Sequence, residues 1–418
     1  MIKREDVASL YGSLLGREPE PDAMAWFLAT FTSRKAAEVF LRQSAEFKQR
    51  HNPEPPPYDV DYIRESLAAG QLEASSASRP DAPTFDQTVN HLELAPWIGL
   101  DISRSALLKR FEESVNESRF ILSITGREVR VLEKPSAFPH PQAESLDERV
   151  QMYADFLGAV LQERNLDLNC LLLVETQDMA PNAYEEIPIF SYQKLAGANT
   201  ISLPDIEFLS SRFYSDPTVV DHIAYPNKRD AAAFLGSTSG YPYLLTRQHV
   251  ENRTSPRLRA AEFFRGKDEV DFRVTNLVQT DGPETDALIR AMGLVSPRMP
   301  FADLYGYRFI ISMDGNGATC SRVVLALASQ AVLLKYQSDY GLYYFPALKP
   351  WLHYVPIHRD ADVLAVVAYE RAHPGAFAHV AEASRQFVAD HLTRERVVDY
   401  TAALIAAYAD LFNGLPEG

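Results

Sequence analysis

Four short runs of uninterrupted apolar residues set the fold class. They are Cys170-Leu171-Leu172-Leu173-Val174, Ala231-Ala232-Ala233-Phe234-Leu235, Phe309-Ile310-Ile311 and Ala331-Val332-Leu333-Leu334. A strand with one face in water alternates apolar and polar residues, whereas a run apolar at every position reads as a strand buried on both faces. Helical stretches lie between the runs, and strands alternating with helices imply parallel sheets with right-handed crossovers. The expected body is α/β with two such sheets. Before the first run, Arg119–Ile124 and Glu128–Leu132 flank Thr125-Gly126, a hairpin signal. Helices are expected over about 146–163 and from about Arg396 to Phe412, where apolar residues recur at helical spacing.

A chain of 418 residues is too long for one ordinary core, so several units are expected. Residues 4–50 read as short helices, with Val7, Leu10, Tyr11, Leu14 and Leu15 at helical spacing, and His51-Asn52-Pro53-Glu54-Pro55-Pro56-Pro57 follows as a stiff spacer. The expected division is a helical module over 1–52, a Pro/Ser-rich linker over 53–85 and a first lobe over 86–222. A second lobe over 223–395 and a C-terminal helix over 396–418 complete it. The net charge of -15, from 41 basic and 56 acidic residues, argues against a general nucleic-acid binder. Two cysteines supply no disulfide framework, the N-terminus has no apolar signal core, and no run reaches transmembrane length; a cytoplasmic location is expected.

Ligands of open α/β sheets bind beyond the carboxyl ends of the strands, and three expected strand ends carry unusual residues. After Phe309-Ile310-Ile311 comes Ser312-Met313-Asp314-Gly315-Asn316-Gly317-Ala318-Thr319-Cys320-Ser321-Arg322. Its glycines turn the chain, its hydroxyls would open a helix whose free amides attract anions, and Arg322 adds a fixed charge; a plain strand-to-helix turn is the other reading. Cys320 stands where the third glycine of a dinucleotide fingerprint belongs, and no G-K-[ST] loop occurs. After Phe234-Leu235 comes Gly236-Ser237-Thr238-Ser239-Gly240, whose central Thr238 discounts a nucleophile elbow. Beyond Val174, Glu175 and Asp178 precede Pro181, and a carboxylate there could take a proton from an attacking hydroxyl. No zinc spacing is present, His353 and His358 would point to opposite faces of a strand, and Asp59-Val60-Asp61 lies in the expected linker, so no metal site is expected.

The segment Leu348-Lys349-Pro350-Trp351-Leu352-His353-Tyr354-Val355-Pro356, together with the Asp314–Arg322 loop, resembles the core of glycosyltransferase family 90. Ile187-Pro188-Ile189-Phe190-Ser191 and Lys228–Gly240 resemble further segments of that family, and the likeness covers about residues 165–412. Residues 10–28 and 40–47 resemble a bacterial domain of unknown function with a Y-x-x-L-L-G-R-x-P-D signature, attached to surface- and polysaccharide-related proteins. A helical cap on the body is the other reading of that module.

The family resemblance implies a GT-B-like fold of two Rossmann-like lobes with a donor cleft between them, here preceded by the small all-helical module. It implies inverting transfer from a UDP-sugar, glucose or xylose, to a hydroxyl of a glycan acceptor. Lipopolysaccharide or capsule synthesis is the implied setting, with the UDP-sugar as substrate and neither cofactor nor metal required. Asp178 falls at the family's catalytic base, with Glu175 as the alternative. Ser237, Thr238, Ser239 and Gly240 fall on the donor loop, and Arg257 on a downstream arginine, with Arg253 and Arg259 as neighbours. Asp314, Gly315, Gly317, Thr319, Ser321 and Arg322 fall on the diphosphate and nucleoside loop. Leu235 and Leu342 depart from the family's usual arginine and glutamate. A catalytically weak sugar-nucleotide or glycan-binding protein, or an assembly scaffold, is the alternative. Residues 1–52 would then serve peripheral association with a membrane or a polysaccharide-assembly complex.

Overall fold

The computed structural model describes residues 2–51, 55–76, 85–132, 143–182, 184–216, 219–318 and 320–417. Its strands in chain order are β1 (Arg119–Gly126), β2 (Glu128–Val131), β3 (Leu168–Glu175), β4 (Ile189–Ser191), β5 (Lys194–Leu195) and β6 (Ile201–Ser202). They continue with β7 (Arg229–Ser237), β8 (Val270–Asn276), β9 (Tyr307–Ser312), β10 (Val332–Tyr336), β11 (Tyr340–Gly341) and β12 (Val355–Ile357). Two five-stranded sheets result, ordered β2-β1-β3-β4-β6 and β12-β10-β9-β7-β8.

The four apolar runs form the centres of these sheets, in β3, β7, β9 and β10. Leu172, Leu173, Val174, Phe234, Ile310 and Leu333 are fully buried, as strands covered on both faces require. The second sheet is parallel throughout. The first is mixed, which corrects the expectation of a parallel sheet. β3, β4 and β6 run parallel, but β1 is antiparallel to both β2 and β3. The hairpin at Gly126, whose φ of 63° suits glycine, reverses the chain before any helix can cross over. The expected helices are present as Ala143–Glu163 and Arg394–Asn413.

Helix Arg394–Asn413 returns the chain to the first sheet: Tyr408 donates to the Leu171 carbonyl at 3.0 Å and Tyr400 to the Ser202 carbonyl at 2.7 Å. β11 pairs with β5, joining the segment after β10 to the segment after β4. The β11–β5 pair ties together the segments that follow the carboxyl ends of β10 and β4, one from each sheet.

Of the expected linker over 53–85, residues 53–54 and 77–84 lie outside the described residues, and the described part differs. Residues Val60–Ser76 form a helix, and Tyr58, Ile63 and Leu67 bury themselves in the core of the second sheet. Gly70 packs so closely on the Trp351 carbonyl that an added Cβ would come within 2.4 Å of the oxygen. Glycine costs helix stability of about 1 kcal/mol against alanine, and here it permits backbone contact that alanine would block. Asp59 accepts the Tyr62 amide at 2.8 Å and so caps this helix.

Residues 4–51 form the helices Arg4–Leu10, Pro21–Thr30, Arg34–Gln43 and Ala45–His51, with a π-turn over Tyr11–Leu15. They pack round a core of their own that includes Val7, Leu10, Leu15, Phe27 and Leu41. Ser33 caps the third helix by accepting the Ala36 amide at 3.2 Å. Lys48 pairs with Asp339, and Thr32 donates to Glu186 at 3.0 Å, so the module rests on the α/β body. Among the described residues, no helix is long and apolar enough to cross a membrane.

Candidate active site

β7 and β9 are neighbours, yet the chain leaves β7 for β8 on one side and β9 for β10 and β12 on the other. Such a reversal opens a crevice at the strands' carboxyl ends. Here it opens between the Ser237–Gly240 loop and the Asp314–Gly317 loop. The first sheet closes the far side with Asp178 after β3, Tyr192 and Gln193 after β4, and the short helix Ile206–Ser210 after β6. The cleft between them has a volume of about 760 Å³.

Eight of the residues expected at the site line this cleft. Asp178 lies on the side of the first sheet; Ser237, Ser239, Arg257, Gly315, Gly317, Ser321 and Arg322 lie on the other. Arg253 pairs with Glu262 at 2.7 Å and Arg259 with Asp360 at 3.8 Å, so Arg257 is the arginine of that group that reaches the cleft.

Other expected residues have different work. Glu175 is 1% exposed, pairs with Arg119 at 3.0 Å and accepts the Gln177 amide at 3.3 Å. It holds β3 to β1 and is corrected from alternative base to buried structural partner. The Thr238 hydroxyl donates to the Val278 carbonyl and accepts the Val278 amide, both at 2.8 Å, which fastens the Ser237–Gly240 loop to the segment after β8. Gly240, at φ 116°, lies against Gly315, where a Cβ would come within 2.9 Å of the carbonyl oxygen. Asp314 accepts the Ser338 hydroxyl; burial pushes its carboxyl up from the usual range, while Lys335 pulls the other way. Thr319 lies outside the described residues.

Arg257 and Arg322 dominate the electrostatics. Their guanidinium carbons sit 5.5 and 4.7 Å from the centre of the Phe234 ring. Arg257 donates to the carbonyls of Ser237 (3.0 Å) and Met313 (2.8 Å) and to the Ser239 hydroxyl (3.0 Å). Arg322 donates to the carbonyls of Leu235 (2.6 Å) and Met313 (3.4 Å). These partners include no carboxylate, and the Nε of each arginine is buried without a partner. Burial, and then the charge of Arg322, push Arg257 down to about 9; burial pushes Arg322 down to about 10, against Glu207 and Asp314. Two adjacent buried cations to which, among the described residues, no anion bonds directly make a site that favours a ligand carrying negative charge.

The helix Cys320–Ala328 differs from the expected open cradle. The Ser321 amide donates to the carboxylate of Glu207, and the Ala318 amide donates to Gln193 Oε1 at 2.9 Å. Side chains from the first sheet therefore occupy two of the backbone donors expected to face phosphate. A Cβ on Gly317 would come within 2.0 Å of Gln193 Oε1, so this glycine makes room for Gln193. An anionic ligand reaching this helix start would compete with Glu207 for the same amide. Glu207→Gln is expected to tighten UDP binding about three- to tenfold, the scale of a charge at a helix N-terminus. Titration calorimetry checks this, and weaker binding by the variant would make Glu207 a ligand contact rather than a competitor.

Asp178 is held by neighbours that the sequence did not single out. Arg149, from helix Ala143–Glu163, pairs with its Oδ1 at 2.7 Å, and the Tyr192 hydroxyl donates to the same oxygen at 3.1 Å. The Asp178 side chain remains 45% exposed. Arg149 also donates to the Thr176 carbonyl at 2.9 Å, which fixes the turn carrying Asp178. Arg298 and Asn276, joined at 2.8 Å, line the β8 end of the cleft. Leu235 lines the cleft, whereas Leu342 is buried away from it. The Leu348–Pro356 segment is scaffold: Trp351 packs on Tyr58 and Tyr62, and His353 accepts the Lys349 amide at 3.1 Å. Burial, aided by Lys349, pushes His353 down to about 4, so it is neutral at physiological pH. Among the described residues, no group of three or more His, Cys, Asp or Glu is placed to hold a metal ion.

The fold and cleft define an α/β protein with an anion-favouring site at the switch point of a parallel sheet, faced by a carboxylate from a second sheet. Residues 89–417 match glycosyl transferase family 90, and the chain belongs to that family. It is 31% identical over 120 residues to protein O-glucosyltransferase 2 of Danio rerio, covering 28% of this chain and 24% of that protein. It is 29% identical over 168 residues to protein O-glucosyltransferase 3 of Homo sapiens (37% and 33% covered), and 26% identical over 261 residues to the Mus musculus protein of the same name (54% and 52%). The chain thus spans about half or less of the length of these relatives.

Proposed function

We propose that the protein is an inverting glycosyltransferase that moves a sugar, glucose or xylose, from a UDP-sugar to a hydroxyl of a glycan acceptor. The observation that carries this reading is the pair of buried guanidiniums, Arg257 and Arg322, without a carboxylate among their hydrogen-bond partners, facing Asp178 across the cleft. The two sheets are read as the lobes of a GT-B-like transferase, with the donor on the second and the acceptor entering beside the first.

In this reading Asp178 takes the proton from the acceptor hydroxyl, whose oxygen attacks the anomeric carbon. The bond to the diphosphate breaks, its electron pair leaves with UDP, and the single displacement inverts the carbon. Arg257 and Arg322 stabilise the charge that develops on the leaving diphosphate, and the Ser237 and Ser239 hydroxyls lie beside them. The chain's own cations supply this stabilisation, so the reaction is proposed to run without a metal. Setting the activity in bacterial lipopolysaccharide or capsule synthesis, at the cytoplasmic face of a membrane, extends the same proposal. A sugar-nucleotide-binding protein without turnover would fit Leu235 in the cleft, but Arg257 and Arg322 supply positive charge beside that position.

A thermal-shift series with UDP, UDP-glucose, UDP-xylose and a non-uridine nucleotide sugar tests the donor class. A ligand that binds only the folded state stabilises it by about 2.7 kcal/mol at a hundred times its Kd. The uridine compounds are expected to raise the melting temperature. Absence of a shift with every one of them at millimolar concentration would remove the donor assignment.

A further inference from the structure

The N-terminal helices leave aromatic rings at their surface. Trp26 is 45% exposed and Phe40 42%, and with Phe31 they form one cluster, with ring centres 5.1 to 5.5 Å apart. Phe31 packs against the buried core of the module, while Trp26 and Phe40 extend the cluster outward and keep much of their surface exposed. Phe31 and Phe40 form one wall of a groove of about 320 Å³. The facing wall is Asn182, Tyr184 and Glu186, from the loop that follows Asp178, with Thr30 and Thr32 along the edge. Thr32 donates to Glu186 at 3.0 Å, which joins the two walls. Asn182 lies four residues after Asp178, so their Cα atoms are at most about 14 Å apart.

Ring faces bordered by hydroxyl, amide and carboxylate groups suit a carbohydrate. The C–H face of a pyranose packs on an aromatic ring while its hydroxyls bond to the polar edge. The lining residues carry one carboxylate, Glu186, which pairs with Arg110 at 3.5 Å beside the groove, and no cation of their own, a near-neutral lining that favours an uncharged sugar over an anionic one. A groove of this volume takes a few sugar rings, whereas a stable protein partner needs roughly 800 Å² on each side.

We propose that this groove is an acceptor subsite, holding the non-reacting end of a neutral oligosaccharide whose hydroxyl is presented to Asp178. The proposal rests on the transferase reading above, and it makes the N-terminal module part of the substrate site.

Saturation-transfer NMR on the full chain tests it, with maltotetraose, xylotetraose and chitotetraose as neutral probes, tetragalacturonate as the charged comparison, and UDP titrated in parallel. At least one neutral probe is expected to receive saturation at its ring C–H protons. Phe40→Ala and, on the opposite wall, Asn182→Ala are each expected to weaken it about five- to tenfold, the scale of one aromatic or polar contact, with UDP affinity unchanged. Phe40 is half exposed and Asn182 lies on another element, so the two variants do not share a folding risk. Binding of UDP with no neutral probe bound overturns the proposal and leaves the donor reading standing. So does a neutral probe bound equally by both variants, or preference for tetragalacturonate. Oligosaccharide binding lost in the two variants, without any UDP binding, upholds the groove and overturns the donor reading.

Discussion

Asp178→Asn is expected to leave a folded protein that binds UDP with unchanged affinity and transfers sugar about a hundred to ten thousand times more slowly, the usual cost of losing a general base. The amide keeps the size of the carboxylate and can still meet the Tyr192 hydroxyl, but it cannot take a proton at neutral pH. The ion pair with Arg149 is lost at a side chain 45% exposed, where solvent screens the charge and the effect on stability is small. Asp178 is carried by the first sheet and the two guanidiniums by the second, so the defect belongs in turnover rather than in donor affinity. Glu175→Gln provides the contrast. Its carboxylate is buried against Arg119, which keeps Glu185 at 2.9 Å, so the cost falls below the about 3–5 kcal/mol of stranding a lone buried charge, and that variant should still lose melting temperature. Turnover by Asp178→Asn within tenfold of the parent enzyme would remove Asp178 as the base.

That contrast shows what the sequence could and could not reveal. Glu175 and Asp178 stand three residues apart after the same apolar run, and no local pattern separates them. Arg119, a partner 56 residues away, takes one out of the cleft, while Arg149 and Tyr192 hold the other in it. The sheets were legible because their signal is local: apolar runs mark β3, β7, β9 and β10, and Thr125-Gly126 marks the hairpin. The helix Val60–Ser76 was not, because Pro55-Pro56-Pro57 speaks for a spacer and the surface it covers, at Trp351, lies almost three hundred residues downstream. The same holds at the Gly315–Gly317 turn. Its glycines and the following helix could be read directly, but the side chains on the Ala318 and Ser321 amides, Gln193 and Glu207, come from segments that follow β4 and β6 of the other sheet.

Arg322→Met is expected to weaken UDP binding by about 1.5–3 kcal/mol, the value of a hydrogen bond to a charged group. At about 1.4 kcal/mol per decade this is roughly a ten- to hundredfold loss. Methionine fills much of the same space over Phe234 and removes only the charge and its donors. The folded protein should not suffer in proportion. Arg322 is buried beside Arg257; burial depresses both, the charge of Arg322 depresses Arg257 further, and removing Arg322 relieves Arg257 of that repulsion. The carbonyls of Leu235 and Met313 lose a donor, which costs something, and Met313 keeps its bond to Arg257 at 2.8 Å. A melting temperature held near that of the parent, with UDP affinity lost, therefore marks a cation kept for its ligand. The opposite pattern, unchanged UDP affinity with a collapse in stability, would make Arg322 a strut between β7 and β9 and take the diphosphate out of this loop. Arg257→Met should behave alike, and the double variant should lose less than the sum of the two, because each arginine opposes the charge of the other when no anion lies between them.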